Sequence, residues 1–178
     1  MRTGSAMPEP GAFADLVGAL GIDEDTQVVV YDAGPPSQMA GMIAWAFLYY
    51  GHPDVRYLDG GLGKWTAEGR SLSVEVAAHE PREFAARVVE SVYCSLDQAK
   101  ASIGDDRVVI WDVRSVGEFE GTKKGWNAPP RLGRLPGAVH LEHNELFDAD
   151  NGTLKPASEL TTLLAAKGIT PQATVFSY

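Results

Sequence analysis

Short apolar runs alternate with amphipathic stretches along the chain, and glycine or proline lies between most of them. The runs Gln27–Tyr31 and Arg107–Val113 are rich in valine and isoleucine, which predicts buried strands. The stretches Met39–Tyr50 and Leu96–Ile103 have helical patterns, and a glycine directly follows each of them. Such an alternation predicts an α/β protein with a largely parallel sheet.

Further elements follow from the same patterns. Leu16–Tyr31 and Leu163–Tyr178 resemble each other, since both contain a helix end, a glycine, an isoleucine, a polar turn and a strand that ends in tyrosine. Their separation is that of a domain rather than of a solenoid repeat, so we expect parts of two related domains. Residues 71–90 have no sustained apolar period, which predicts a linker. Other helices are predicted over Phe13–Leu20, Lys64–Glu68 and Pro156–Lys167, and strands over Val55–Leu58, Ala138–Leu141 and Ala173–Tyr178.

The composition narrows the function classes. A formal net charge of −9 makes nucleic acid or an anionic membrane surface an unfavourable partner. No apolar run approaches the ~20 residues that a membrane-spanning helix needs, and Met1–Gly11 lacks the apolar core of a secretory signal. The one cysteine, Cys94, excludes an internal disulfide and a cysteine-based zinc site. It fits a reducing compartment, so we expect a cytoplasmic protein that binds neither nucleic acid nor membrane.

Cys94 precedes a predicted helix, whose N-terminus could lower the pKa of the thiol. However, Cys94–Gln98 contains no glycine that would allow an anion-binding backbone loop, and Asp97 places a like charge beside any thiolate. We therefore expect a structural, half-buried cysteine rather than a catalytic one.

Two histidines and two glutamates within His140–Glu145 raise the question of a metal site. If this segment begins on a strand, alternate residues share a face, so that His140 and His143 point apart. No cysteine or third histidine lies nearby in the sequence, and we expect no metal site.

A cluster of basic residues lies in the second half of this acidic chain. It is either a solvated loop or a rim that binds anions, since arginine forms bidentate contacts with oxyanions. The residues alone leave both interpretations open. The members of the cluster are Arg114, Lys123, Lys124, Arg131 and Arg134.

Two motifs in the second half resemble the paired signature of the rhodanese, or thiosulfate sulfurtransferase, family. Asp112–Gly121 resembles the D-x-R-x-x-x-E-[FY] motif, and Gly133–Ala138 resembles G-H-[IV]-P-G-A with Arg134 in place of the usual histidine. Earlier, Leu58–Gly61 followed by Trp65 resembles the strand, turn and helix that close a family domain. The order, closing half first and opening half second, resembles the middle of a tandem two-domain sulfurtransferase.

The resemblance implies a rhodanese-like α/β fold, with a parallel sheet flanked by helices. It implies that residues 1–73 are the C-terminal half of a first, non-catalytic domain, residues 74–91 an interdomain linker, and residues 92–178 the N-terminal half of a second domain. The two halves either form separate lobes or assemble as one permuted domain, in which Val55–Leu58 would pair with strands of the second half. Incomplete domains expose sheet edges, so self-association is expected as well.

The resemblance also implies where the chemistry lies. In the family, the nucleophilic cysteine directly follows an apolar strand. Asp32 occupies this position in the first half, and in the second half the position would come directly after Tyr178. The resemblance therefore implies no catalytic residue within the chain.

Four residues of the two motifs receive roles from the resemblance. Arg114 and Arg134 are implied to bind the anionic substrate, whereas Asp112 and Glu118 are implied to support the loop by hydrogen bonds. The implied reaction transfers sulfur from thiosulfate or 3-mercaptopyruvate to a thiophilic acceptor through a cysteine persulfide, without a cofactor. We expect the chain as given to be inactive. The alternative is a non-catalytic, rhodanese-like binding or regulatory module.

Overall fold

The computed structural model describes residues 7–33, 38–52, 54–125 and 130–178. Parts of the N-terminal segment, of the loop after the first strand and of the basic segment lie outside these residues. The helices are α1 (Pro10–Gly18), α2 (Gln38–Tyr49), α3 (Gly61–Ala67), α4 (Leu96–Ala101), α5 (Val116–Glu120) and α6 (Ala157–Ala165). The strands are β1 (Val28–Val30), β2 (Val55–Tyr57), β3 (Val108–Asp112), β4 (Val139–His140) and β5 (Thr174–Ser177). Short 3-10 turns lie at Glu90–Val92 and His143–Leu146.

Contacts divide the chain into two compact units, a first unit over Met1–Tyr93 and a second unit over Cys94–Tyr178. None of the described helices combines the length and the apolar character that a bilayer crossing requires. Each unit has its own sheet and is described separately below.

The named strands pair in parallel, and helices connect them, so the predicted α/β class is confirmed. In the first unit β1 pairs with β2, with Val28 opposite Val55. In the second unit β3 lies between β4 and β5. The described pairing contradicts the single permuted domain, because β2 pairs with β1 and not with a strand of the second half. The reason is the helix α2 between them, since such a crossover places consecutive parallel strands side by side.

An aromatic cluster forms the core of the first unit. Phe13 of α1 stacks on Tyr50 with ring centroids 4.1 Å apart, and its edge meets Phe47 of α2 at 5.4 Å. Phe84, from the segment predicted as a linker, packs against Phe13 at 5.8 Å. Aromatic pairs at these separations add about 0.5–1.5 kcal/mol each beyond the area that they bury.

The segment around Phe84 is held by the backbone of the first unit. The amides of Arg82, Arg87 and Val89 donate to carbonyl oxygens of Gly18, Tyr50 and Tyr49 at 2.9, 2.9 and 2.8 Å. These carbonyls lie at helix ends, where no intrahelical donor remains. Therefore part of the predicted linker forms the outer layer of the first unit. Its sequence lacks an apolar period because its partners are helix ends rather than a neighbouring strand.

Gly18 allows this segment to approach α1 closely. A Cβ atom at Gly18 would lie 2.4 Å from the carbonyl oxygen of Arg82, which no real side chain tolerates without a shift of the backbone. A side chain at this position would push the segment away from the helix.

The second unit buries few large side chains, chiefly Ile110 and Asp112 of β3 and Leu141 after β4. Its short helices begin with capping boxes, in which Ser95 pairs with Gln98 before α4 and Ser115 pairs with Glu118 before α5. These caps stabilise helices that are too short to be stable by themselves. Short elements bring the ends of the three strands close to the loops that follow them.

Candidate functional site

The carboxyl ends of the three parallel strands in the second unit meet at one edge of the sheet. The amide of Tyr178, after β5, donates to Trp111 O at 3.1 Å, and the amide of Val113 donates to Tyr178 O at 3.2 Å. On the other side of β3, the amide of Leu141 donates to Asp112 O at 3.3 Å. In open parallel sheets, ligands bind outside this edge.

A buried ion pair occupies the centre of this edge. The Asp112 carboxylate is fully buried, and Arg114 donates to its two oxygens from Nε at 3.0 Å and from Nη2 at 2.5 Å. The backbone amide of Arg114 donates to the same carboxylate at 3.0 Å. Nη2 also donates to Gly133 O at 2.9 Å, while 27% of the Arg114 side chain stays exposed. The guanidinium is thus oriented by two acceptors, while part of the Arg114 side chain remains exposed.

Tyr178 completes the surroundings of this pair. Its ring lies under the Arg114 guanidinium, 5.2 Å from the centroid to the guanidinium carbon. Its hydroxyl accepts from the amide of Leu135 at 3.0 Å and lowers the pKa of the nearby Asp112 carboxyl. One side chain therefore contacts both the guanidinium of the pair and the turn that follows Gly133.

The hydrogen bonds keep both members of the pair charged. Burial alone would raise the pKa of Asp112, but hydrogen bonds from Arg114 and Tyr178 outweigh it and hold the pKa below its ordinary value. Hydrogen bonding to Asp112 raises the pKa of Arg114. Burial raises the pKa of Tyr178, so its hydroxyl stays protonated at neutral pH. The site therefore carries a fixed carboxylate and a fixed guanidinium.

A second arginine lies on an aromatic stack beside this pair. The guanidinium of Arg134 lies 4.3 Å from the centroid of the Phe119 ring, and its Nη1 donates to Phe119 O at 3.3 Å. Phe119 stacks on His140 at 4.7 Å, and His140 Nε2 lies 2.8 Å from Arg114 O. The stack links the segment that follows β3 to the turn that carries Arg134.

Glu118 supports the start of α5. Its carboxylate accepts from the Ser115 hydroxyl at 2.6 Å and from the Ser115 amide at 3.3 Å. The hydrogen bonds from Ser115 lower the pKa of Glu118, with a further contribution from Arg114 and Lys123. The geometry is that of a loop-supporting residue, and its role in function stays a prediction.

Asp32 lies in the first unit, after β1. Its carboxylate accepts from the amide of Ala40 at 3.3 Å, and its carbonyl accepts from the amide of Leu62 at 2.9 Å. It borders an open groove of about 240 Å³ whose other lining residues are apolar. These are Val29, Val30, Tyr31, Met39, Ala40 and Ile43. The contacts of Asp32 tie α2 and α3 to the end of β1.

The environment of Cys94 opposes thiolate formation. The side chain is half-buried, and its thiol donates to Ser95 O with Sγ 3.5 Å from the oxygen. Burial raises the pKa of the thiol above its ordinary value. A nucleophilic cysteine needs the opposite shift.

The two histidines of the HLEHNE segment bind backbone rather than a common ligand. His140 faces the carbonyl of Arg114, and His143 Nδ1 lies 3.0 Å from the carbonyl of Val113. Within the described ranges, no three histidine, cysteine or acidic side chains come together as a metal site would require.

Sequence reasoning identified Asp112, Arg114 and Arg134 but missed the side chain of Tyr178. The structure adds its hydroxyl and ring to the site, together with the Gly133 carbonyl. One signal was present, since both copies of the internal repeat end in tyrosine.

Comparison with known proteins identifies the scaffold. A model of the family described as "Rhodanese-like domain" matches residues 2–68. The chain is 30% identical over 164 residues to the thiosulfate sulfurtransferase of Gallus gallus. The matched region makes up 92% of this chain and 56% of that protein. It is 34% identical over 175 residues to the sulfur carrier protein TtuD of Thermus thermophilus. That match covers 93% of this chain and 61% of TtuD. The chain is therefore similar to rhodanese-family sulfurtransferases over most of its length, and residues 2–68 match the rhodanese-like domain itself.

Solved structures agree with this similarity. The chain matches the anaerobic ergothioneine biosynthesis enzyme of Chlorobium limicola, solved in complex with trimethyl histidine. The TM-score is 0.82 at 25% identity, over 96% of this chain and 45% of that enzyme. EanB with ergothioneine covalently linked with a cysteine persulfide matches with a TM-score of 0.83 at 25% identity, over 96% and 45% of the two chains. The chain spans about half the length of the curated relatives it matches, for example 55% of the Bos taurus thiosulfate sulfurtransferase and 61% of TtuD.

Proposed function

We propose that this chain forms part of a rhodanese-type sulfurtransferase and that its second unit holds an anionic sulfur donor, thiosulfate or 3-mercaptopyruvate. One observation carries the proposal: a fixed, partly exposed guanidinium lies at the ligand-binding edge of a parallel sheet. Arg134 would supply a second cation at the rim. A reducing compartment such as the cytoplasm suits a reaction that runs through a free thiol.

The proposed reaction has two displacements. A cysteine thiolate attacks the outer sulfur of thiosulfate, the S–S bond breaks, and sulfite leaves with the bonding electrons. A thiophilic acceptor then attacks the persulfide and regenerates the thiolate. Arg114 would stabilise the negative charge on the leaving sulfite, and Asp112 would keep the guanidinium in place. We assign the nucleophile to a cysteine other than Cys94, because burial raises the pKa of that thiol.

The proposal includes a domain assignment. Residues 1–73 would be the closing half of a non-catalytic domain, and residues 92–178 the opening half of a catalytic one. The division into units at Tyr93 and the partial coverage of the relatives support this assignment. Phe84 packs in the first unit, so the connection between the halves would be shorter than residues 74–91.

Calorimetric titration of the chain with thiosulfate tests the proposal. Arg134→Ala should weaken binding about threefold to tenfold, because one charge-assisted contact is lost. Arg114→Lys should weaken it further, since lysine keeps the charge but cannot form the bidentate contact. Arg131→Ala, another exposed arginine of the same segment, is the matched control and should leave affinity unchanged.

Two results of this titration would contradict the proposal. One is an absence of thiosulfate binding, and the other is binding that neither Arg114→Lys nor Arg134→Ala weakens. Equal affinity for sulfate would favour the alternative, an anion-binding module without sulfur transfer.

A further inference from the structure

The Tyr178 side chain contacts both Arg114 and the turn after Gly133 in the proposed donor site. We infer that Tyr178 is a positioning residue: its hydroxyl fixes the Gly133–Gly137 turn against β3 and thereby orients Arg114 toward the anionic donor. The inference rests on the proposed function of this site and adds to it a residue that does not touch the donor itself.

The first step is the hydrogen bond from the turn to the hydroxyl, since the Tyr178 oxygen accepts from the amide of Leu135 at 3.0 Å. The backbone of Tyr178 is held beside β3, because its amide donates to Trp111 O at 3.1 Å and its carbonyl accepts from the amide of Val113 at 3.2 Å. Tyr178 therefore joins the turn after Gly133 to β3.

The second step links the turn to Arg114. Gly133 lies two residues before Leu135, and its carbonyl accepts from Arg114 Nη2 at 2.9 Å. If the Leu135 amide is released, the Gly133 carbonyl loses its fixed position. Arg114 then keeps only its contacts to Asp112 and to the ring of Tyr178.

The ring and the hydroxyl of Tyr178 make different contacts, and a substitution can remove one set without the other. The Tyr178 ring lies under the guanidinium at 5.2 Å, a cation–π contact that phenylalanine would also make. The hydroxyl alone bonds to the Leu135 amide. Tyr178→Phe therefore removes this hydrogen bond and preserves the stacking, whereas Tyr178→Ala removes both.

The internal repeat provides a matched control. Tyr31 follows β1 as Tyr178 follows β5, but 57% of Tyr31 is exposed, against 36% of Tyr178. Tyr31→Phe is chemically the same change at a position outside the proposed site.

The experiment measures three quantities on the full chain. Amide hydrogen exchange of Leu135 should accelerate about fivefold in Tyr178→Phe, the ratio expected when a typical hydrogen bond is lost. The titration of the Asp112 carboxyl, followed by carbon NMR, should move to higher pH, because the hydroxyl that lowers its pKa is gone. Thiosulfate binding should weaken several-fold at neutral pH. The pH below which binding is lost, called here the acid limb of binding, should also move to a higher value.

A purely structural tyrosine would not shift the acid limb of thiosulfate binding. Tyr178→Ala should weaken binding more than Tyr178→Phe, and Tyr31→Phe should change none of the three quantities. Unchanged Leu135 exchange and Asp112 titration in Tyr178→Phe would overturn the inference. If the unmodified chain binds no thiosulfate, the proposed function fails, while the exchange and titration measurements still decide the positioning role.

Discussion

The two units bury different kinds of side chain. The core of the first unit is a cluster of aromatic rings around Phe13, and the hydrogen bonds around it come mainly from the backbone. The centre of the second unit is the Asp112–Arg114 ion pair, surrounded by short helices and loops. Apolar packing stabilises a fold wherever it occurs, whereas a buried ion pair contributes little net stability and fixes geometry. Under the proposed function, the second unit carries the donor site, whereas apolar packing stabilises the first unit.

The substitution with the largest expected effect on stability removes a ring from the core of the first unit. Phe13→Ala removes a ring that contacts three other aromatic rings, so it should cost about 3–5 kcal/mol of unfolding free energy. Leu16→Ala, an exposed position on the same helix, is the control and should cost little. Hydrogen exchange should show lost protection in the first unit. Equal costs for the two variants would contradict the aromatic core.

The substitution with the next largest expected effect on stability removes the charge of Asp112 from the ion pair of the second unit. Asp112→Asn leaves Arg114 without its charged partner and should destabilise the second unit by about 2 kcal/mol, less than for a fully buried pair because Arg114 is partly exposed. Asp105→Asn is the matched control. Hydrogen bonds from Arg107 lower the pKa of Asp105 to about 2, yet that pair is exposed and its loss should not be measurable. Urea unfolding, followed by the fluorescence of Trp111 next to Asp112, separates the two outcomes.

The same carboxylate predicts a pH dependence for the second unit. The folded pKa of Asp112 lies below its ordinary value of 3.8, so its stabilising contribution is complete at neutral pH. The contribution falls once the pH drops below that ordinary value and is gone below the folded pKa. Acid unfolding of the second unit should therefore become less steep in Asp112→Asn. Acid unfolding curves that have the same slope for the native chain and for the variant would be inconsistent with a lowered pKa.

The smallest of these stability effects concerns the backbone packing of the first unit. Gly18→Ala places a Cβ 2.4 Å from Arg82 O, and we expect a loss of about 1–2 kcal/mol as the segment shifts. Gly11→Ala, on the same helix with no atom within 4 Å of the new Cβ, should be neutral or slightly stabilising. Thermal unfolding gives both values. A neutral Gly18→Ala would show that the segment around Phe84 does not pack as described.

Local patterns predict most of the regular elements. Apolar runs predicted β1 and β3, and α2 ends beside Gly51 because glycine adopts the left-handed backbone there, with φ of 81°. The packing of residues 82–89 was not predictable, since their amides bind helix ends and leave no periodic signal. In this case tertiary hydrogen bonds replace secondary structure.

The candidate site was predictable only in part. Asp112 and Arg114 stand in one motif, so family resemblance identified both. The contacts of Tyr178 with Leu135, and of Arg134 with Phe119, join residues that are far apart in the sequence. Such contacts depend on how the turn after Gly133 folds back over the sheet edge, which no local pattern encodes.

The central claim is that the second unit carries a donor site but that Cys94 is not its nucleophile. Cyanide-dependent formation of thiocyanate from thiosulfate, measured on the 178-residue chain and on Cys94→Ser, tests it most directly. The account predicts that neither protein forms thiocyanate above the protein-free rate, although the native chain binds thiosulfate. Turnover by the native chain that disappears in Cys94→Ser would contradict it.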